Sequence, residues 1–205
     1  MATQLTHVAV VLAAGGSTRL GTPKQLLRRD GETLLHRTVR LAAATRPARV
    51  IVVLGAHHER FAAELTAVAH THVVNADWRS GLAGSLRAAA SHVPPDHAAL
   101  IAACDQPALE EHHLRALLTG AHTAPSGMGA TDLGHVLGIP AVVPGAWFRE
   151  LEGGGDHGFR DRLRSLPAGV VFRLHAPELA RDIDGPADLH EAIAVGLIDA
   201  SPGPS

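Results

Sequence analysis

Directly after an apolar, β-branched run, His7–Leu12, the chain reads Ala13-Ala14-Gly15-Gly16-Ser17-Thr18-Arg19-Leu20-Gly21-Thr22-Pro23-Lys24-Gln25. Adjacent glycines let a backbone turn sharply and present successive N–H groups to an anion. In the same turn the Arg19 guanidinium can fork onto phosphate oxygens, and Lys24 adds a point charge. Such a collar suits a triphosphate. A P-loop is excluded, because its lysine follows the second glycine directly whereas Lys24 lies three residues after Gly21. Gly15, Gly16 and Gly21 do not make the G-x-G-x-x-G dinucleotide fingerprint either. The same residues also fit an ordinary strand-to-helix turn with two incidental basic side chains.

Other polar groups follow other apolar runs. Asp105 comes straight after Ala98–Cys104, so its carboxylate should stand at the carboxyl edge of a sheet. There a single Asp plus substrate phosphates would anchor a magnesium ion. An Asp opening a turn ahead of Pro107 is the structural alternative. Asp182 and Asp184 alternate, so on an extended segment both face one side. Asp188 falls in the first turn of a helix, where a carboxylate favours the positive end of the dipole. The 15 histidines invite a metal site. The adjacent pairs His57–His58 and His112–His113 diverge by about 100° on a helix, however, so dispersed surface histidines are expected rather than zinc. Cys104 has no recognisable base partner and is expected to be a small buried residue.

These residues need a scaffold, and the pattern supplies one. Apolar runs at His7–Leu12, Arg49–Leu54, Thr71–Val74 and Ala98–Ala103 alternate with helical periodicity at Leu34–Ala44, His58–Ala69, Gly84–Ser91 and Glu110–Leu118. Such alternation predicts an α/β fold with a parallel sheet buried on both faces. After Thr119 the regularity weakens. Ala121–Gly138 reads as loops with short strands, Pro140–Val143 and Val170–Leu174 as further strands, and Ala187–Val195 as a closing helix. Residues 1–200 are expected to form one domain, and 201–205 a frayed tail of Pro, Gly and Ser. Ligands of open α/β sheets bind beyond the carboxyl ends of the strands, which is where the glycine turn and Asp105 fall.

Composition narrows the function further. Across 205 residues, 18 Lys plus Arg against 20 Asp plus Glu leave a net charge of −2, without the basic excess of a nucleic-acid binder. The single cysteine excludes an internal disulfide framework, and the hydrophobic share of 46% excludes wholesale disorder. No apolar run approaches the roughly 18 residues of a membrane span, and no basic-then-apolar leader is visible, so a cytoplasmic location is expected. A soluble enzyme or a small-ligand binding protein remains.

The run Leu12–Lys24 resembles the L-A-A-G-x-S-x-R-[LM]-G-x-x-K signature of the MobA-like nucleotidyltransferases, which include the molybdenum cofactor cytidylyltransferases. Further elements are similar in order. Asn75-x-x-Trp78-x-x-Gly81-x-x-x-Ser85-Leu86 resembles the second nucleotide-contacting segment, and Cys104-Asp105-Gln106-Pro107 the metal-binding turn. Gly155-Asp156-x-Gly158-x-Arg160 resembles the GDxGxR element of the molybdopterin branch. Asp182-Ile183-Asp184-Gly185-Pro186-x-Asp188-Leu189 resembles a late acidic element, with Gly185 where that element usually has Thr.

The resemblance implies a Rossmann-like three-layer α/β/α fold with a mostly parallel mixed sheet. It implies nucleotide contacts from Leu12, Ala13, Ala14, Gly15, Gly16, Ser17, Arg19, Lys24, Gly81 and Ser85. It implies catalytic roles for Arg19, Lys24 and Asp105, Mg2+ on Asp105 and Asp184, and an acceptor-side role for Asp156 and Arg160. Surface-loop charge is the alternative for that last pair, and core packing for Trp78. The implied reaction moves a nucleoside monophosphate, CMP from CTP by the Pro23-Lys24-Gln25 similarity, onto the phosphate of molybdopterin, releasing pyrophosphate. A molybdoenzyme client would then be a partner, with neither nucleic acid nor membrane involved. The alternatives are a sugar-phosphate or other small-phosphate nucleotidyltransferase and a non-catalytic carrier of the finished cofactor.

Overall fold

A computed structural model describes residues 5–65, 67–134, 136–151, 159–167 and 169–200. Its centre is β1, His7–Ala13, with every residue buried. Burial on both faces follows from the run's lack of polar alternation. Val8, Val10 and Leu12 enter one apolar cluster, while Ala9, Val11 and Ala13 enter another on the opposite face. β1 pairs in parallel with β4, Val50–Leu54, and with β6, Ala98–Ala103, and β4 pairs in parallel with β5, Thr71–Val74. Between β1 and β4 lie a short hairpin, β2 Arg28–Arg29 and β3 Glu32–Thr33, and helix α1, Leu34–Ala44. Thr33 caps α1 by accepting the His36 N–H at 3.3 Å.

Beyond β6 the sheet becomes mixed. β8, Leu137–Pro144, runs antiparallel to both β6 and β7, Gly129–Asp132, and β9, Phe172–His175, returns parallel to β7. The spatial order is β5-β4-β1-β6-β8-β7-β9. This is the mostly parallel mixed sheet that the resemblance implied, and β8 is its one reversed strand. Helices cover both faces. α1, α2 (His58–Ala63) and α4 (Glu111–Thr123) pack on one; α3 (Gly81–Ala89), α5 (Ala146–Arg149) and α6 (Arg160–Arg164) lie on the other. α7, Pro186–Ala194, closes beside Leu34 and Ile183. α2 stops well before Ala69, and α4 runs past Leu118 to Thr123, so helix ends were the poorest part of the pattern reading. No helix among the described residues is long and apolar enough to cross a membrane.

Two histidines depart from the surface expectation. His7 and His113 are buried, and His113 has a capping task. Its Nδ1 accepts the N–H of Glu110 at 3.1 Å, so the Nε2–H is left to donate to Glu178 at 3.0 Å. Protonating Nδ1 would set two donors against each other. Burial holds the His113 pKa below its ordinary value, against the opposing pull of Glu178. A lowered folded-state pKa means that the unfolded chain takes up its proton first as the pH falls through about 6.5. The stabilisation is therefore complete above that value and declines below it. In His113→Gln, which keeps an acceptor for the cap but cannot titrate, the melting temperature should fall less between pH 7 and pH 5 than in the wild type, as read by scanning calorimetry.

Candidate active site

The glycine turn is held from beneath by one side chain. Gln25 is fully buried, and its Nε2 donates to the carbonyls of Ala13 at 3.0 Å and Gly15 at 2.6 Å. Ser17, at φ 51°, accepts the Lys24 N–H on Oγ at 3.0 Å, so the loop is closed on itself. Gly16 is required by a close approach: a Cβ there would sit 2.5 Å from the Trp78 ring. Trp78 thus packs on the turn, lines the cavity beside it and joins the core cluster at its edge, with the Arg79 guanidinium carbon 4.2 Å from its ring centroid. Gly81, at φ 80°, turns the chain into α3. This directs Ser85 into the cavity wall, where its Oγ accepts from Asn75 Nδ2 at 3.3 Å.

Opposite the turn stands a charged cluster drawn from three parts of the sequence. Lys24 Nζ lies 2.5 Å from Asp105 Oδ2 and 3.4 Å from both Asp184 Oδ1 and the carbonyl of Ile183. Arg19 Nη2 lies 3.1 Å from the other oxygen of Asp184. The Ile183 N–H donates to the Asp105 carbonyl at 3.1 Å, which fastens the late acidic segment to the turn after β6. Lys24 is 14% exposed and Arg19 75%, so Lys24 is built into the cluster while Arg19 reaches in from solvent. Burial opposes the Lys24 charge, yet the Asp105 carboxylate outweighs it and the pKa is raised, keeping the ammonium protonated through neutral pH. Asp182 lies at the rim of the same cavity. Desolvation by the surrounding protein and the Asp105 charge push its carboxyl up to about 7.

The cavity has a volume of about 450 Å3. Of the residues expected to contact nucleotide, Leu12, Ala13, Ala14, Gly15, Lys24, Gly81 and Ser85 line it. Gly16 and Ser17 instead shape the turn, and Arg19 approaches through Asp184. Asp105 and Asp184 are both on its wall. Asp188 caps α7, with Oδ2 accepting the N–H groups of Asp184 at 3.0 Å and Gly185 at 2.8 Å. Asp156 lies outside the described residues. Arg160 opens α6, and its side chain is outside them as well. Cys104 is buried, and burial pushes its thiol up to about 12, which leaves it inert as a nucleophile at neutral pH.

Comparisons with known proteins bear on the family and the fold. The profile of the MobA-like NTP transferase domain matches residues 9–170. The chain belongs to the MobA-like NTP transferase family. The chain is 30% identical over 168 residues to a Paenarthrobacter nicotinovorans protein named Nicotine blue oxidoreductase, covering 77% of this chain and 81% of that one. A solved nucleotidyl transferase from Methanothermobacter thermautotrophicus superposes with a TM-score of 0.77 at 25% identity, covering 94% of this chain and 98% of the other. The Rv0371C protein of Mycobacterium tuberculosis H37Rv, solved in complex with manganese, superposes with a TM-score of 0.73 at 26% identity, covering 94% and 99%.

Among the described residues no group of three or more His, Cys, Asp or Glu is arranged to hold a metal ion. The donor set near the turn is the pair Asp105 and Asp184, both within reach of one lysine nitrogen. Two hard carboxylates suit a magnesium-like cation that completes its shell with water and phosphate oxygens, and they do not suit zinc. Three contributors escaped the residue-by-residue reading. Gln25 appeared only inside a tripeptide similarity, Asp182 only as an alternating neighbour of Asp184, and Asn75 only as the start of a spaced motif. Gln25 and Asn75 act on partners only 10 to 12 residues away, but residue order does not show which way their amides point, and Asp182 meets Asp105 only in the folded chain.

Replacing Gln25 by Met keeps the volume and removes both donors. Two loop carbonyls then lose a buried partner, at about 1–3 kcal/mol each. The expected result is a clear drop in melting temperature together with a tenfold or larger rise in the nucleotide dissociation constant, read by calorimetric titration.

Proposed function

We propose that this nucleotidyltransferase transfers CMP from CTP to the phosphate of molybdopterin, forming a cytosine dinucleotide cofactor and releasing pyrophosphate. One observation carries the transfer reading: Lys24 and Arg19 of the glycine turn meet Asp105 and Asp184 at the mouth of a single cavity. Attack comes from an acceptor phosphate oxygen that is already anionic. The P–O bond to the α-phosphorus forms as the bond to the bridging oxygen breaks, and pyrophosphate leaves with the electron pair. No protein nucleophile is needed, which fits the inert Cys104.

What the chain must supply is position and positive charge. Backbone N–H groups of Ala14–Gly16 would receive the entering phosphates, on a turn that Gln25 holds by the carbonyls of Ala13 and Gly15. The Lys24 ammonium stays charged at neutral pH and offsets charge at the reacting centre. Arg19, exposed and tethered by one carboxylate, is free to trade Asp184 for the leaving pyrophosphate. Asp105 and Asp184 would hold the magnesium ion, which when bound supplies Lewis-acid stabilisation of the phosphate oxygens. Support for a divalent cation comes from that carboxylate pair and from the manganese complex of the Rv0371C protein. The choice of CTP rests on Pro23-Lys24-Gln25, and the choice of molybdopterin on the GDxGxR similarity of residues 155–160.

A pyrophosphate-release screen crossing the four ribonucleoside triphosphates with molybdopterin and several sugar phosphates tests the pairing. CTP with molybdopterin should be the fastest combination; faster release with a sugar phosphate would assign a different acceptor. Binding of the finished cofactor without turnover under any combination would instead identify a carrier. In Arg19→Ala the rate should fall about 10²–10³-fold. The melting temperature should hardly change, because the side chain is 75% exposed.

A further inference from the structure

The turn that carries Asp105 is gripped at a second point, outside the cavity wall. Arg29 Nη1 donates to the carbonyl of Pro107 at 2.5 Å. Pro107 is buried, and neither it nor Arg29 lines the cavity. The other arm of the guanidinium, Nη2, lies 2.9 Å from Oε1 of Glu110, at the start of α4, and Nε lies 3.6 Å from Asp30 Oδ2. Arg37, buried on α1, meets the same Glu110 oxygen at 2.6 Å and donates to the Leu109 carbonyl at 3.1 Å. Two arginines from the chain after the glycine turn thus hold the chain after β6 by two carbonyls and one carboxylate. Charge-assisted bonds of this kind are short and directional.

Arg29 is delivered by the β2–β3 hairpin, whose strands of two residues each are too short to fix a side chain unaided. The hairpin is fastened at both ends instead. At its tip the Asp199 carboxylate accepts the N–H groups of Asp30 at 2.9 Å and Gly31 at 2.8 Å, and the Asp199 N–H donates to the Arg28 carbonyl at 2.8 Å. At its base the Leu34 N–H donates to the Leu27 carbonyl at 2.8 Å.

One short segment therefore holds one turn at two points, Lys24 by the Asp105 carboxylate and Arg29 by the Pro107 carbonyl. The two holds differ in what competes for them. A phosphate competes for Lys24, and a divalent cation competes for Asp105. The Pro107 carbonyl, outside the cavity, meets neither.

We propose that Arg29 is a positioning residue: through the Pro107 carbonyl it keeps Asp105 in place against the glycine turn when Lys24 and Asp105 engage ligands. What those ligands are rests on the transfer reading above; the brace itself is a property of the folded chain. Its worth follows from the tolerance of such sites, where an error of about 1 Å costs on the order of 10²-fold in rate.

Hydrogen exchange of the full chain, read amide by amide by NMR, tests the brace. The Ile183 N–H donates to the Asp105 carbonyl and so reports where that turn stands. In Arg29→Met its protection should fall at least about tenfold, while Val11 and Val52, on the paired central strands, keep theirs. Arg37 retains Glu110 and Leu109 in that variant, so α1 and α4 stay joined. Arg29→Lys keeps a donor for the carbonyl and should hold Ile183 within about threefold of the wild type. With the substrate pair ranked first by the pyrophosphate screen, Arg29→Met should lower kcat about 10–100-fold and change the nucleotide KM less than about threefold. Should Arg29→Met fail to fold, Asp199→Ala takes its place, since it frees only the exposed hairpin tip, and Ile183 protection should then fall at least about threefold. Unchanged Ile183 protection, an equal fall at all three amides, no recovery in Arg29→Lys, or an unchanged kcat overturns the inference. The transfer reading fails separately. Local loss of Ile183 protection in a protein whose wild type releases no pyrophosphate with any pair leaves the brace standing and removes the transfer. Release at the wild-type rate from Arg29→Met does the reverse.

Discussion

The ammonium of Lys24 among the carboxylates of Asp105 and Asp184 is the contact on which the site's construction depends. It joins the turn after β1 to the turn after β6 and to the segment ahead of α7, three stretches separated by 81 and 160 residues along the chain. Each partner needs the others. Asp105 and Asp184 together with Asp182 would crowd like charge around one opening; burial first, and the Asp105 charge after it, already push the Asp182 carboxyl up. A lysine held largely away from water would in turn hold its proton less tightly without the carboxylates. Together they keep a cation and an anion cluster side by side at one cavity.

Around that contact the structure spends small residues where approach is tight and one amide where direction matters. Gly16 lets Trp78 lie on the turn, and Gly55, where a Cβ would strike the Trp78 Cβ at 2.6 Å, does the same on the neighbouring strand end. Gln25 then fixes the turn by the carbonyls of Ala13 and Gly15. Gln106 repeats the device on the far side, its Nε2 anchored by the carbonyls of Ile139 and Leu179. Two buried glutamines, each held by backbone acceptors, thus frame the two ends of one chamber. The reversed strand β8 makes the second end possible. It places alternate apolar residues on the wall where a parallel strand would need a long crossover.

Much of this was legible along the chain. β5, β6 and α1 lie where periodicity put them, because continuous apolar runs and a 3.6-residue stripe are local properties. Strand direction was not local: Pro140–Val143 reads the same in either orientation, and only pairing with Ala98–Ile101 settles it. Helix ends such as those of α2 and α4 depend on capping and packing partners, among them the Glu110–His113 box.

Residue order alone determined the chemistry available, namely a glycine turn with Arg19 and Lys24 and carboxylates following later runs. It also determined that the turn would fall at a sheet's carboxyl edge, since buried parallel strands leave no other place for polar groups. Only the folded chain decided which carboxylate Lys24 meets and that Gln25 rather than Ser17 carries the loop. Those outcomes are set by contacts between residues 10 to 81 positions apart, where distance and direction, not residue type, determine the energy.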